Sequence, residues 1–265
     1  EWNGPNRNDL GAFFKRMEFR TLTKRYLGEE PIENKAGDQG DLFGTFVEEE
    51  PIEKLDEEKN AYELVKDIDG AKKLVEDLKK ESVICFDTET NSPNPVSASL
   101  VGFSFSAKPG MGFYIPVNVE GALDENEVVE IIRPLFEDEG KTLVAHNYKF
   151  DWLILHRAGI QIKGKPFDTM IAAYLIDATQ KIKMDELSKK YLNYEPVPIE
   201  ALIGKGKRQI SMADLTPEEV YLYACEDADI TLRLYEIFSE QLTKDELDDV
   251  AKTVEFPLME VLAEI

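Results

Sequence analysis

Residues 84–90, ICFDTET, set two carboxylates, Asp87 and Glu89, two positions apart at the end of an apolar run. Residues i and i+2 of a strand point to one face, so the two acids converge. At a solvated strand end such a pair merely faces water. Here it follows VICF, apolar on both faces, and lies at the lip of a core strand. Like charges crowded in a poorly solvated place raise a pKa or demand a cation. Carboxylate oxygens are hard ligands that suit Mg2+ or Mn2+. A second stretch, HNYKFDW at 146–152, puts Asp151 in the first turn of a helix, where a carboxylate also complements the helix dipole. A third, YLYACEDADI at 221–230, sets Tyr223 and Asp227 four apart on one helical face, while Glu226 and Asp229 point elsewhere and are expected to be solvated. Asp costs about half a kcal/mol relative to Ala inside a helix, so Asp227 in mid-helix hints at a task.

The elements that must position these acids follow from the pattern. A helix is predicted at about 70–80 (GAKKLVEDLKK) and the acid-bearing strand at 82–88. SLVGFSFSA and GFYIPV, separated by KPGM, form a hairpin. NEVVEIIRPLF reads as a helix, TLVAH as a strand, and FDWLILHRAG as a helix closed by Gly159. Helices follow at about 169–177 and 184–192, then the polar loop GKGKRQIS. The last helix starts with Thr216 as N-cap, Pro217 in the first turn and Glu219 completing a capping box, and runs to about Leu242. An antiparallel hairpin followed by αβ units implies an α/β fold with a mixed sheet flanked by helices.

Composition bounds the rest. The 265 residues, 43% hydrophobic, can bury a sizeable core, and no apolar stretch approaches the roughly 20 residues that span a bilayer. No secretory signal is readable at the start, so a cytoplasmic location is expected. Cys85 and Cys225 fall inside predicted elements and read as core thiols. The net charge of −22 argues against a chain that grips duplex DNA by itself, because phosphate contacts need Lys and Arg. Part of that charge is segregated in the acidic run EEEPIEKLDEE, and divalent metal in a carboxylate cluster would offset more. Residues 8–27 carry Leu10, Phe13, Phe14, Met17, Leu22 and Tyr26 at helical spacing, and 28–60 read as an acidic, polar linker.

Taken together, FDTET, NYKFD and YACED resemble the three motifs of the DEDD superfamily of 3′-to-5′ exonucleases, which has a ribonuclease H-like fold. The likeness is closest to the proofreading domain of bacterial family A DNA polymerases, the DNA polymerase I family. It spans about residues 60–242 and includes SLVGFSF, FDTM and GKGK. It implies four metal-binding carboxylates, Asp87, Glu89, Asp151 and Asp227, and makes Tyr223 the tyrosine that marks the "y" subclass. The two histidines, His146 and His156, lie away from the turn where the sister subclass carries one. Two divalent ions are implied, Mg2+ with Mn2+ or Zn2+ as alternatives. Asp87 would bridge them, Glu89 and Asp227 would complete the nucleophile side, and Asp151 would hold the second ion through water. Tyr223 and Glu89 would orient the attacking water, releasing a nucleoside 5′-monophosphate.

The same resemblance implies substrate contacts at Asn147, Thr88, Lys181 and Ile199, and at the GKGKR loop. Pro93 stands where relatives often wedge a leucine, and Ile199 where they often stack an aromatic, so terminal bases would be held by a different apolar contact. FDTM repeats the FDT of the first motif without a second acid at i+2, and its Asp168 reads as a helix N-cap. The resemblance also divides the chain: 1–27 resemble the tail of a 5′-nuclease domain, 61–243 form the exonuclease domain, and 244–265 resemble the entry to a polymerase domain. It would then be a piece of a longer chain, acting as a monomer on single-stranded DNA 3′ ends, away from membranes, with 5′-nuclease and polymerase domains as covalent neighbours. A ribonuclease D-like RNA-trimming enzyme shares the ligand set, and a silent spacer domain is the third reading; the intact carboxylates speak against the last.

Overall fold

The central strand of the sheet is the one that carries the first acid pair. In a computed structural model, which describes residues 7–17, 19, 52–56 and 59–264, six strands pair into one mixed sheet. They are β1 (Ala61–Leu64), β2 (Val83–Thr90), β3 (Leu100–Ser106), β4 (Met111–Pro116), β5 (Thr142–Ala145) and β6 (Lys165–Asp168), in the order β1-β4-β3-β2-β5-β6. β2, β3 and β4 run antiparallel to their neighbours in that meander, β1 joins β4 in parallel, and β5 and β6 extend the sheet from β2 in parallel. The helices are α1 (Arg7–Arg16), α2 (Ile68–Leu78), α3 (Glu125–Phe136), α4 (Tyr148–Arg157), α5 (Thr169–Ile176), α6 (Met184–Leu192), α7 (Ile199–Ile203), α8 (Pro217–Lys244) and α9 (Phe256–Glu264). A single helical turn (Asp248–Val250) and one π turn (Ala251–Glu255) precede α9. The expected α/β architecture is the one observed, a ribonuclease H-like mixed sheet with helices on it.

The two faces of the sheet are built differently. One is aromatic: Phe86 meets Phe136 edge-on at 5.0 Å and Tyr148 at 5.6 Å, closing the main core. The other is trimmed for the approach of α8. Across the β2–β3 ladder Asp87 faces Ser104 and Glu89 faces Gly102, and Ser104 faces Tyr114 on β4. A Cβ at Gly102 would fall 2.3 Å from the Tyr114 ring, and one at Gly112 would fall 2.6 Å from the Cβ of Cys225 and 2.8 Å from its carbonyl oxygen. Gly102 makes room for the Tyr114 ring and Gly112 lets α8 lie directly on the strands, which brings a helix side chain level with the end of β2. Gly112→Ala is therefore expected to lower the urea midpoint, by about 1–3 kcal/mol of stability, since the obstacle is partly backbone. An unchanged midpoint would show that α8 has slack.

α8 begins as predicted: the Glu219 carboxylate accepts from the backbone N–H of Thr216 at 2.8 Å and from its hydroxyl at 2.9 Å, behind Pro217 at the first helical position. Both cysteines are buried and free. Residues 52–56 fall in the span read as linker, yet Glu53 bridges to Tyr194 in parallel. Its N–H donates to the Asn193 carbonyl at 3.0 Å, and its own carbonyl accepts from Glu195 at 2.8 Å. The chain divides into two units, up to Glu50 and from Pro51. In the first, α1 occupies part of the expected 8–27 helix, with Phe13, Phe14 and Phe19 rings 6.2–6.3 Å apart. The remainder of that expectation, and residues 28–51, 57 and 58 of the linker, lie outside the described residues. Among the described residues no helix is long and apolar enough to cross a membrane.

Candidate active site

β2 and α8 deliver the central cluster. One carboxylate oxygen each from Asp87, Glu89 and Asp227 lie within 4.8 Å of one another. Among the described residues none of the three is ion-paired, and burial acts on all of them. It pushes Asp87 up to about 6 and holds Glu89 and Asp227 well above the usual carboxylate range, with Asp87 next to them adding repulsion. Tyr223, one turn before Asp227 on the same face, lies beside the Asp227 carboxylate and is itself pushed up by burial and by that charge. Glu89 Oε1 is buried without a hydrogen-bond partner. A buried carboxylate oxygen without a donor is costly unless something positive faces it. Three hard oxygen donors converging with that lone pair fit a divalent cation such as Mg2+ or Mn2+.

Asp151 sits one step back. It is buried in the first turn of α4, and its Oδ1 accepts from the backbone N–H of Thr88 at 3.0 Å and from the Thr88 hydroxyl at 2.6 Å. Burial and then Asp87 raise its pKa, so it belongs to the same electrostatic system without joining the tight cluster. Thr88, expected to touch substrate, thus directs both its donors to Asp151. Asn147 is exposed at the N-cap of α4 in the left-handed region (φ 68°), with its side chain free of any capping bond. Lys181 is exposed and pairs with Glu186, while Ile199, half exposed, opens α7. The loop of Gly204–Arg208 carries two left-handed glycines, and just beyond it Ser211 donates to the Asn91 carbonyl at 3.2 Å, tying this side of the site to the loop after β2. The structure therefore gathers Asp87, Glu89, Asp227 and Tyr223, places Asp151 behind Thr88, and leaves Asn147, Lys181 and Ile199 at the surface.

Two residues beside the cluster escaped sequence reasoning. The Tyr114 ring lies over Gly102, its hydroxyl donating to the Val101 carbonyl at 3.2 Å, and Glu89 adds to the burial that raises its pKa. Ser104, across the ladder from Asp87, has a buried hydroxyl without a partner. The strand register, which no local pattern gives, is what reveals both.

Glu226 and Asp229 correct an expectation. Both are fully buried rather than solvated. Glu226 accepts from the Tyr194 hydroxyl at 2.5 Å and the Val197 N–H at 2.8 Å; Asp229 accepts from the Tyr62 hydroxyl at 2.9 Å and the Gly110 N–H at 2.7 Å. α8 is covered by β1 and β4 on one flank and by the 193–197 segment on another, so no broad solvent face remains near its middle. Glu226→Ala strands a buried hydroxyl and a buried N–H and is expected to cost about 2–4 kcal/mol, read from chemical denaturation. A loss under half a kcal/mol would mean that water replaces the carboxylate.

A ribonuclease H-like sheet, acids at the end of its central strand and on the long helix laid across it, and an oxygen-rich cluster are the marks of a carboxylate-dependent nuclease. The family model described as 3′-5′ exonuclease matches residues 62–243. DNA polymerase I of Borreliella burgdorferi is 39% identical over 194 residues, covering 72% of this chain and 21% of that protein. DNA polymerase I of Pseudomonas aeruginosa is 33% identical over 271 residues, covering 98% of this chain and 28% of that protein. The chain thus spans well under a third of the length of these relatives. The structure of Brucella melitensis NrnC with bound Mg2+ shares the fold, with a TM-score of 0.56 at 21% identity, covering 71% of this chain and 86% of that one. The chain belongs to the 3′-5′ exonuclease domain family found in DNA polymerase I.

Proposed function

We propose that the chain is a metal-dependent 3′-to-5′ exodeoxyribonuclease, the proofreading module of a DNA polymerase I, removing nucleoside 5′-monophosphates from single-stranded or frayed DNA 3′ ends. The observation that carries this reading is the cluster of Asp87, Glu89 and Asp227 with Tyr223 beside it and Glu89 Oε1 unpartnered. Those three acids would hold one divalent ion, and Asp151 with Asp87 a second. Bound there, such ions make water a nucleophile at neutral pH and stabilise the oxygens of the phosphodiester being cut. The chain's own contribution is to fix and orient. Tyr223, beside Asp227, would with Glu89 direct the attacking water. Thr88 fixes the rotamer of Asp151 through two hydrogen bonds. No histidine base is invoked: His146 bonds Thr169 through Nδ1, and burial pulls it down to about 4.

Mg2+ in the NrnC structure supports a metal of this kind. The P. aeruginosa match, which extends over nearly the whole chain but only 28% of that protein, supports its being one part of a longer polypeptide. Because the chain carries a net charge of −22, binding to DNA rests on the bound cations and on few side chains, with Asn147, Lys181 and Ile199 as the proposed contacts. The test is release of single nucleotides from matched 3′-labelled DNA and RNA oligonucleotides in Mg2+ or Mn2+, against EDTA. Stepwise, metal-dependent release from DNA supports the reading. Preference for RNA would favour a ribonuclease D-like enzyme, and no release in either metal would leave a silent spacer.

A further inference from the structure

Asp168, in the FDTM motif, makes more contacts than a helix cap requires. Its Oδ1 accepts from Met170 N–H at 2.7 Å and, more weakly, from Ile171 N–H at 3.4 Å, which caps α5 as expected. The same carboxylate also reaches the start of α4. Oδ1 accepts from Asn147 N–H at 3.2 Å, and Oδ2 accepts from Tyr148 N–H at 3.0 Å. The topology explains the coincidence: β5 and β6 are parallel neighbours with Ala145 paired to Asp168, so both strands end at one level and both turn at once into helices. The amino ends of α4 and α5, each with unsatisfied N–H groups and a positive dipole end, converge on one buried carboxylate. Thr169 completes the tie, its hydroxyl 2.8 Å from His146 Nδ1 and 3.3 Å from the Ala145 carbonyl. Asn147 has no side-chain cap of its own, so Asp168 does for α4 what an N-cap would do.

We infer that Asp168 is a positioning residue for the nuclease reaction: by holding the first N–H groups of α4 it fixes the left-handed turn at Asn147 and the first helical turn that presents Asp151 to Thr88 and the carboxylate cluster. The inference rests on the nuclease reading above. It separates two roles that chemistry can tell apart. Serine caps a helix about as well as aspartate, so Asp168→Ser keeps the α5 cap. With one shorter oxygen it cannot serve α4 as well. Asp168→Asn keeps the size, but whichever way the amide turns, an NH2 group faces a backbone N–H.

The experiment measures single-nucleotide release and Mn2+ binding, the latter by loss of the free-ion electron paramagnetic resonance signal. It compares wild type, Asp168→Ser, Asp168→Asn and Ile132→Val, a core change in α3 that serves as a stability control. The expected result for both Asp168 variants is a 10- to 100-fold lower rate at saturating DNA and weaker Mn2+ binding, as when groups supporting a metal site are removed. The KM for DNA should rise as well, because the turn that carries Asn147, a proposed DNA contact, is loosened too, but by less than the rate falls. Ile132→Val should leave rate and Mn2+ binding at wild-type values. Folded Asp168→Ser with wild-type rate and Mn2+ affinity would overturn the inference and leave Asp168 as the cap of α5 alone. A wild type that releases nothing would instead remove the nuclease reading itself.

Discussion

Asp227→Asn is expected to abolish nucleotide release while leaving the metal-free protein at least as stable as the wild type. Asp227 is one of three acids whose oxygens lie within 4.8 Å of one another. Its loss removes a proposed metal ligand, and a fall of about 10³-fold or more in rate corresponds to roughly 4 kcal/mol of transition-state stabilisation. In the absence of metal the same acid is a burden on the fold. Burial and Asp87 both raise its pKa, which means its ionised form is disfavoured in the folded state. Asparagine keeps the size while removing the charge that Asp87 repels. The melting temperature in EDTA should therefore stay level or rise by a few degrees, about 2–4 °C for a gain near 1 kcal/mol. Retained release would remove Asp227 from the site. A fall of several degrees in EDTA would show that the acid supports the fold and that the cluster is structural.

The second large effect is a stability that falls as pH rises and that metal restores. Asp87 is raised to about 6, and burial first, then the Asp87 charge, raises Glu89, Asp151 and Asp227 well above the ordinary carboxylate range. For an acid raised on folding, the native state holds the proton over the interval between the unfolded and folded pKa values. Stability is then greatest below the unfolded pKa and declines as pH climbs through the folded one. The metal-free protein should lose stability from about pH 4 upward through pH 6 and beyond. The opposite effect of the depressed exposed acids, such as Glu195 at about 2, is confined to lower pH. Mg2+ or Mn2+ binds the deprotonated carboxylates, so the melting temperature gained on adding metal should increase from pH 5.5 to pH 8. Thermal scans in EDTA and in metal across that range check it. A metal-free protein that gains stability over the same interval, or a metal effect independent of pH, would contradict the electrostatic picture of the site.

Much of this was legible in the residues because it is local. The i, i+2 spacing of Asp87 and Glu89 and the i, i+4 spacing of Tyr223 and Asp227 are properties of a strand and a helix, and the capping box at Thr216 announced the helix that unites them. What was illegible depends on partners far along the chain. β1 and β6 have four residues each, and β6 contains Lys165 and Pro166, so neither shows a period from which a strand could be read. Glu226 and Asp229 look like acids on a solvated face until Tyr194 and Tyr62, 32 and 167 residues away, are brought against them. Asp168 was readable as the cap of the helix that follows it, whereas its hold on Asn147 and Tyr148 needed the parallel register of β5 and β6. The candidate site acids were picked out by spacing and likeness, but the retreat of Asp151 behind Thr88 is a side-chain arrangement that no spacing encodes.

The bridge between Glu53 and Tyr194 sets where this module can be severed from what precedes it. A chain cloned from Ala61 keeps every strand of the sheet yet discards the backbone bonds that Glu53 makes to Asn193 and Glu195, together with the Lys54–Glu195 ion pair. Those bonds hold the segment whose Tyr194 hydroxyl reaches Glu226, the neighbour of Asp227 on α8. A protease cutting just after Lys54 would release these bonds, although nothing in the composition of the acidic run marks that point.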